Sequence, residues 1–288
     1  MRYLHGGCPA KVELAHVMLK GRFSLVDKFG CRVLPWGDSG TEATLPHIWR
    51  AGKVTSSLDI AFVMAEEGRL AVWDSLLVES QSAGRGQLRR DWISPSGNLY
   101  ATLRLPVSPP FEASAASVAT GALFAKALCE LGWPVLLKWP NDLVLTRDGT
   151  ARKFGGILLE ERRGVLLAGV GINIVNAPEA SVLRKDAAVP ATSLGEFADS
   201  PPEAKNLWQQ LVKCVYSMYA EGDPFSGSWK NEAERLLLWK DCQVALIEGR
   251  TILRGRLTGL NPAGSVCLSM DGEMREFSGG ALHLQHAI

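Results

Sequence analysis

Residues 135–175 read VLLKWPNDLVLTRDGTARKFGGILLEERRGVLLAGVGINIV. Four apolar runs in this stretch, Val135 to Lys138, Leu143 to Leu145, Phe154 to Glu160 and Val165 to Val175, have the length and composition of strands. Turn signals at Arg147-Asp148-Gly149 and Arg162-Arg163-Gly164 separate them. A parallel neighbour needs a crossover of about a dozen residues or more, so links this short predict a mostly antiparallel sheet.

Working outward, Glu112 to Leu131 is an alanine-rich helix stopped at Gly132 and Pro134. Asn98 to Leu105 is a strand with Leu99, Ala101, Leu103 and Leu105 on one face, and Ala71 to Val78 is another. Ser57 through Glu67 reads as an amphipathic helix, with Leu58, Ala61, Phe62 and Ala65 at helical spacing. Residues 1–50 are less regular. Lys11 to Lys20 is read as a short helix, and Phe23 to Leu34 as strands pairing across Asp27-Lys28. The turn-rich PWGDSGTEATLPH follows, and no three-helix pattern with a recognition helix is legible.

Downstream, Ser200-Pro201-Pro202-Glu203 has the pattern of a helix start, continuing through Leu207, Leu211, Val215 and Met218. From about Leu236 the chain changes to short strands with turns at Glu248-Gly249, Asn261-Pro262-Ala263-Gly264 and Asp271-Gly272, a small all-β barrel. The expected class is α+β: a mixed, largely antiparallel sheet with flanking helices, then the barrel. The expected division is an N-terminal extension (1–51), a catalytic region (52–233) and a C-terminal module (234–288).

Across 288 residues, 31 basic side chains against 30 acidic ones give a net charge of +1, which argues against a protein that coats nucleic acid. Cys8, Cys31, Cys129, Cys214, Cys242 and Cys267 form no CxxC, so neither a disulfide framework nor a cysteine zinc site is expected, and a reducing cytoplasm fits. The longest apolar stretch, Gly164 to Val175, is too short to span a bilayer, and the N-terminal residues contain no apolar run of a signal peptide. All five histidines fall at positions 5, 16, 47, 283 and 286, with His283 and His286 read as a surface pair. Chemistry in the middle of the chain therefore rests on lysine, arginine, carboxylate and backbone donors, which suits transfer at phosphorus or acyl carbon.

Residues 79–105, ESQSAGRGQLRRDWISPSGNLYATLRL, place Gly84, Gly86 and Gly97 with Arg85, Arg89 and Arg90 between two strands. This is neither GxxxxGK[ST] nor a dinucleotide fingerprint. It is a solvated basic loop or an arginine-bearing loop that folds over a ligand. In KWPND, Asn141 and Asp142 sit at a strand interruption made by Pro140, as a turn or as a site. Lys153, before Gly155-Gly156, is a strand-edge gatekeeper or a partner for carboxylate or phosphate. Together Arg85, Arg90, Lys138 and Lys153 put positive charge around a polar pair, an arrangement suited to a nucleotide-activated carboxylate.

The series Gln81-Ser82-Ala83-Gly84-Arg85-Gly86, Trp92, Ser94-Pro95, Gly97-Asn98-Leu99-Tyr100, KWPND, Lys153 with Gly156-Ile157-Leu158, and Gly169-Val170-Gly171-Ile172-Asn173 resembles the biotin–protein ligases, especially the bacterial biotin–[acetyl-CoA-carboxylase] ligases. It covers residues 52–175 densely, and the C-terminal barrel is similar to that family's SH3-like domain. The resemblance implies that biotin and Mg-ATP give biotinyl-5′-AMP and pyrophosphate, after which a lysine of an apo biotin carboxyl carrier protein attacks and releases AMP.

It further implies that Ser56, Ser57 and Gln81 bind the ureido ring and that Arg85-Gly86-Gln87 through Arg90 close on biotin and the phosphate. Lys153 would hold the biotin carboxylate or α-phosphate, Asp142 would receive the acceptor lysine, and Trp92 and Asn173 would contact the nucleotide. Lys138 joins Arg85, Lys153 and Asp142 as a catalytic candidate, and no metal ligands are assigned. Trp92 and Trp139 are walls of the site or ordinary core residues. The usual GRGRxGR is altered at Gln87 and Arg89, and Ser-Thr-Asn becomes Ser56-Ser57-Leu58. Expected partners exclude DNA and membrane and include a second copy as a homodimer. The alternatives are a lipoate–protein ligase or octanoyltransferase of the same fold, and a biotin-responsive DNA-binding repressor.

Overall fold

The structure, a computed structural model, describes residues 16–19, 22–25, 30–36, 45–87, 90–178, 189–220 and 225–285. Strands β1 (His16–Leu19) and β2 (Arg22–Leu25) pair antiparallel with each other. The main sheet contains β3 (Arg32–Leu34), β4 (Ile48–Val54), β5 (Ser75–Gln81), β6 (Leu99–Leu105), β7 (Leu136–Lys138), β8 (Asp142–Arg147), β9 (Thr150–Arg162) and β10 (Val165–Ile172). Its order is β3-β4-β5-β6-β10-β9-β8-β7.

Residues 135–175 form the run of antiparallel strands that their short links require. Asp148-Gly149 and Arg163-Gly164 each supply two consecutive positive-φ residues, the backbone of a tight hairpin turn. Among the described residues the one parallel strand pair, β4 with β5, is joined through helix α1 (Ser57–Glu66), as a parallel crossover demands.

Both faces of the sheet are covered. Helices α2 (Ala116–Glu130), α3 (Ala204–Ala220) and α4 (Phe225–Leu236) bury one face, where Leu99, Ala101, Leu103 and Leu105 of β6 meet Phe124, Trp208 and Leu211. On the other face Tyr100, Leu76, Val78 and Leu167 pack with Leu58, Ala61 and Phe62 of α1. The alternation of β6 thus sends its even-numbered residues toward α1, where Thr102 Oγ1 donates to Ser57 Oγ at 2.9 Å.

Strands β11 (Gln243–Glu248), β12 (Thr251–Leu260), β13 (Val266–Met270), β14 (Glu273–Phe277) and β15 (Ala281–Leu284) form an antiparallel sheet in the order β14-β13-β12-β11-β15. This is compatible with the SH3-like module. Its Leu246, Leu257 and Leu268 belong to the same core as Leu137 and Trp139. Leu238 N–H donates to the Leu137 carbonyl at 2.9 Å, and Trp139 Nε1 donates to the Gly264 carbonyl at 2.9 Å.

Several expectations change. His16–Leu19 is a strand and not the end of a helix, because it pairs with Arg22–Leu25; residues 11–15 lie outside the described set. Arg32–Leu34 pairs with β4 and not back across Asp27-Lys28. Positions 51 and 52 both lie inside β4, so this end of the expected extension is continuous with the main sheet, and positions 233 and 234 both lie inside α4. Helix α3 begins at Ala204, past the Ser200-Pro201-Pro202 pattern, while the capping box forms at Ser193 and Glu196. His283 is buried and not a surface residue, on β15 where that strand pairs with β11. Among the described residues no helix is long and apolar enough to cross a membrane.

Candidate active site

The break between β7 and β8 creates the site's charged centre. Register places Lys138 opposite Asp142 and Asp142 opposite Gly156, in a row across three adjacent strands. The Asn141 side chain is engaged within the fold. Its Nδ2 donates to the Ile157 carbonyl and its own carbonyl accepts Ile157 N–H at 3.1 Å, so it fastens the turn to β9. An irregularity in the β8–β9 register, where Val144 pairs with Lys153 after Leu143 pairs with Gly155, re-aims Lys153 toward the same row.

Lys153 Nζ lies 2.6 Å from Asp142 Oδ1, and Lys138 Nζ lies 3.6 Å from Asp142 Oδ2. Burial opposes ionisation of Asp142, but Lys153 and then Lys138 outweigh it and hold the carboxyl below its ordinary range. Lys138 is 7% exposed, and this burial lowers its pKa despite the attraction of Asp142. The centre can therefore attract an anion while keeping a carboxylate ionised beside it.

Two glycines floor the adjoining space. A Cβ on Gly171 would lie 2.6–2.8 Å from the Trp92 indole, and one on Gly156 would lie 3.5 Å from Trp92 Cζ3. Trp92 thus rests on the sheet where side chains are missing, with Lys153 Nζ 5.4 Å from its ring centroid. Its indole N–H is buried without a hydrogen-bond partner. Trp92 covers the two glycines beside Lys153, whereas Trp139 is a core residue joined to the C-terminal sheet.

The glycine–arginine loop closes on itself at its neck. Arg85 bridges Asp91, Gly86 N–H donates to the Arg90 carbonyl at 2.7 Å, and Trp92 N–H donates to the Gly84 carbonyl at 2.8 Å. Gly84 has no room for a side chain, because a Cβ would sit 2.4 Å from the Trp92 carbonyl oxygen. The Arg85 guanidinium turns to Asp59 at 2.7 Å and Glu160 at 3.1 Å. Gln87 and Arg90 are exposed, and Arg89 lies outside the described residues.

Gln81 is already engaged at both ends, accepting Ser57 N–H at 2.8 Å and donating to Ser94 Oγ at 3.1 Å. The Ser56 hydroxyl is buried without a partner, while that of Ser57 accepts from Thr102. Leu58, in place of the usual asparagine, lies beneath Gly169, whose Cβ would be 3.0 Å away. Asn173 donates through Nδ2 to the Thr192 carbonyl at 3.1 Å and so holds the 190–194 segment against β9.

The structure therefore gathers Lys138, Asp142, Lys153 and Trp92, and turns the Arg85 side chain elsewhere. Asp59, Glu160 and Arg162 were not singled out from sequence. Glu160 and Arg162 two apart on a strand, and an acid in the first turn of α1, were the available signals. Among the described residues no cluster of three or more His, Cys, Asp or Glu could hold a metal ion. A magnesium ion arriving with ATP fits such a site only if phosphate oxygens and water supply most of its ligands.

Comparison with known proteins places the chain in a family. The model of the biotin/lipoate A/B protein ligase family matches residues 62–175. The Bifunctional ligase/repressor BirA of Escherichia coli (strain K12) is 31% identical over 261 residues, covering 87% of this chain and 76% of the relative. The biotin–[acetyl-CoA-carboxylase] ligase of Paracoccus denitrificans is 32% identical over 177 residues, covering 56% of this chain and 71% of that protein. The biotin protein ligase of Aquifex aeolicus, solved in complex with biotin and ATP, superposes with a TM-score of 0.65 at 24% identity, covering 82% of this chain and 97% of the other, and shares the fold. On the breadth of these matches, this chain belongs to the biotin–protein ligases of the biotin/lipoate A/B protein ligase family.

Proposed function

We propose that this chain activates biotin with ATP as biotinyl-5′-AMP, releasing pyrophosphate, and transfers the biotinyl group to a lysine of a biotin carboxyl carrier protein. The observation that carries the reading is the Asp142 carboxylate held between Lys153 and Lys138 beside the glycine floor. In this reading Lys153 meets the biotin carboxylate and then the α-phosphate, where negative charge builds during adenylation. Lys138 adds a second cation from beneath, and Asp142 receives the incoming acceptor amine. Ser56 is the buried hydroxyl best able to bind the ureido group, and Trp92 walls the ligand. Gln81 and Ser57 shape the pocket through their mutual bond, and the exposed Arg90 is the loop cation for phosphate. Asn173 supports the nucleotide side by fixing the Thr192 segment.

Magnesium enters with the nucleotide, the acceptor is a biotin-dependent carboxylase such as acetyl-CoA carboxylase, and the enzyme works in the cytoplasm, as a homodimer or alone. The reading includes no DNA contact. Because similar relatives carry repressor in their names, a gel shift with operator DNA, biotin and ATP is the check, and a specific shift overturns that part.

The deciding experiment is incubation of the full chain with ATP, biotin and an apo carrier domain, read by mass. A single biotinyl adduct on one lysine is expected, and Lys153→Ala should abolish it. Pyrophosphate exchange dependent on lipoate but not biotin would overturn the choice of substrate.

A further inference from the structure

Arg85 has the sequence of a phosphate-seeking loop cation, yet its charge is already matched. Its Nε and Nη2 face Glu160 Oε1 and Oε2 at 3.1 and 3.4 Å, a two-pronged contact, and its Nη1 donates to Asp59 Oδ2 at 2.7 Å. Glu160 is fixed in turn by Arg162, 2.6 Å away, whose guanidinium lies 4.2 Å from the Phe62 ring centroid on α1. Two guanidiniums and two carboxylates balance locally, so Arg85 carries no surplus charge toward a ligand. The same residue is tied to Trp92 through the backbone, since Arg85 bridges Asp91 and Trp92 N–H donates to Gly84.

We propose that Asp59 and Glu160 are positioning residues: by gripping Arg85 from α1 and β9 they anchor the neck of the loop and keep Trp92 seated on Gly156 and Gly171. Arg85 is then the fixed post at the neck of the loop. As far as catalysis is concerned, this rests on the ligase reading. The opposing mechanism makes Asp59 and Glu160 competitors, which an anionic ligand must displace to recruit Arg85. The two mechanisms predict opposite signs when the carboxylates are neutralised.

The test uses the full chain carrying Glu160→Gln or Asp59→Asn. Tryptic cleavage within residues 85–90, measured without any ligand, should run at least about threefold faster at an unchanged global melting temperature. In biotin-dependent pyrophosphate exchange, the KM for biotin should rise about fivefold or more with kcat within about twofold. Glu160→Asp, which keeps the charge, should recover part of both effects. An unchanged cleavage rate, or a biotin KM that stays the same or falls, overturns the proposal. Should Glu160→Gln lower the melting temperature, Asp59→Asn decides, because the Asp59 side chain in the first turn of α1 is half-exposed and more exposed than that of Glu160. Absence of biotin-dependent exchange in the unaltered chain defeats the ligase reading instead, and the cleavage measurement still decides the anchor.

Discussion

The Asp142 carboxylate is bound at one oxygen by Lys153, 2.6 Å away, and faces Lys138 across 3.6 Å at the other. An acid shared by two ammoniums stays ionised and is a weak proton acceptor, its pKa being held down against the pull of burial by both lysines. In the proposed transfer this separates two roles that the sequence left merged: Asp142 is placed to orient a third amine electrostatically, and the proton that amine loses is expected to go to solvent.

The pH dependence of transfer from preformed biotinyl-AMP follows. The rate should climb steadily as pH rises from about 6 to 9, as the acceptor amine loses its proton in solution. Asp142→Asn should lower the rate about tenfold or more at every pH and keep the same slope. A plateau at neutral pH that disappears only in Asp142→Asn would restore Asp142 as the base.

Acid unfolding reads the same pair from the stability side. The folded carboxyl lies below its ordinary value of 3.8, so its contribution is complete above that value and is lost as pH falls through the depressed folded value. Stability should therefore decline more steeply with acid in the unaltered protein than in Asp142→Asn. Equal slopes below pH 3.8 in chemical-denaturation series would contradict the pairing.

Gly171 tests whether Trp92 truly rests on the sheet. A methyl group there collides with the indole at 2.6–2.8 Å, so Gly171→Ala should displace Trp92 and cost about 1–3 kcal/mol. Adding Trp92→Ala should remove most of that cost, since the two residues share one space. Additive losses in a double-mutant cycle read by denaturation would show that the ring lies elsewhere.

Residues 135–175 disclosed their antiparallel order because their links are shorter than a crossover, and Lys138, Asp142 and Lys153 were legible as a group. What the sequence hid has a physical cause. The two acids that capture Arg85 lie 26 residues before it and 75 after it, so only the packing of α1 against β10 and β6 brings them together. Asn141, read as a turn or a site residue, and Asn173, read as a nucleotide contact, both use their amides to tie strands, a use that the residue type alone does not distinguish from ligand binding. Ile48–Val54 escaped because β4 is held by its neighbours β3 and β5 and only partly by its own alternation, which Lys53 and Gly52 interrupt.

Trp139 connects the C-terminal sheet to the charged centre, one residue from Lys138 and three from Asp142. Its indole N–H donates to the Gly264 carbonyl at 2.9 Å in a buried setting. Trp139→Phe keeps most of the ring's packing and leaves that carbonyl without its partner, which should cost about 1–3 kcal/mol. The melting temperature should fall by a few degrees, and adenylation should slow, because the strand carrying Lys138 is held from the C-terminal side by this bond and by Leu238 N–H on Leu137. A variant destabilised by this amount but with unchanged exchange kinetics would show that the C-terminal sheet only stabilises the KWPND turn. A slowed reaction at temperatures well below unfolding would show that it sets the turn's geometry as well.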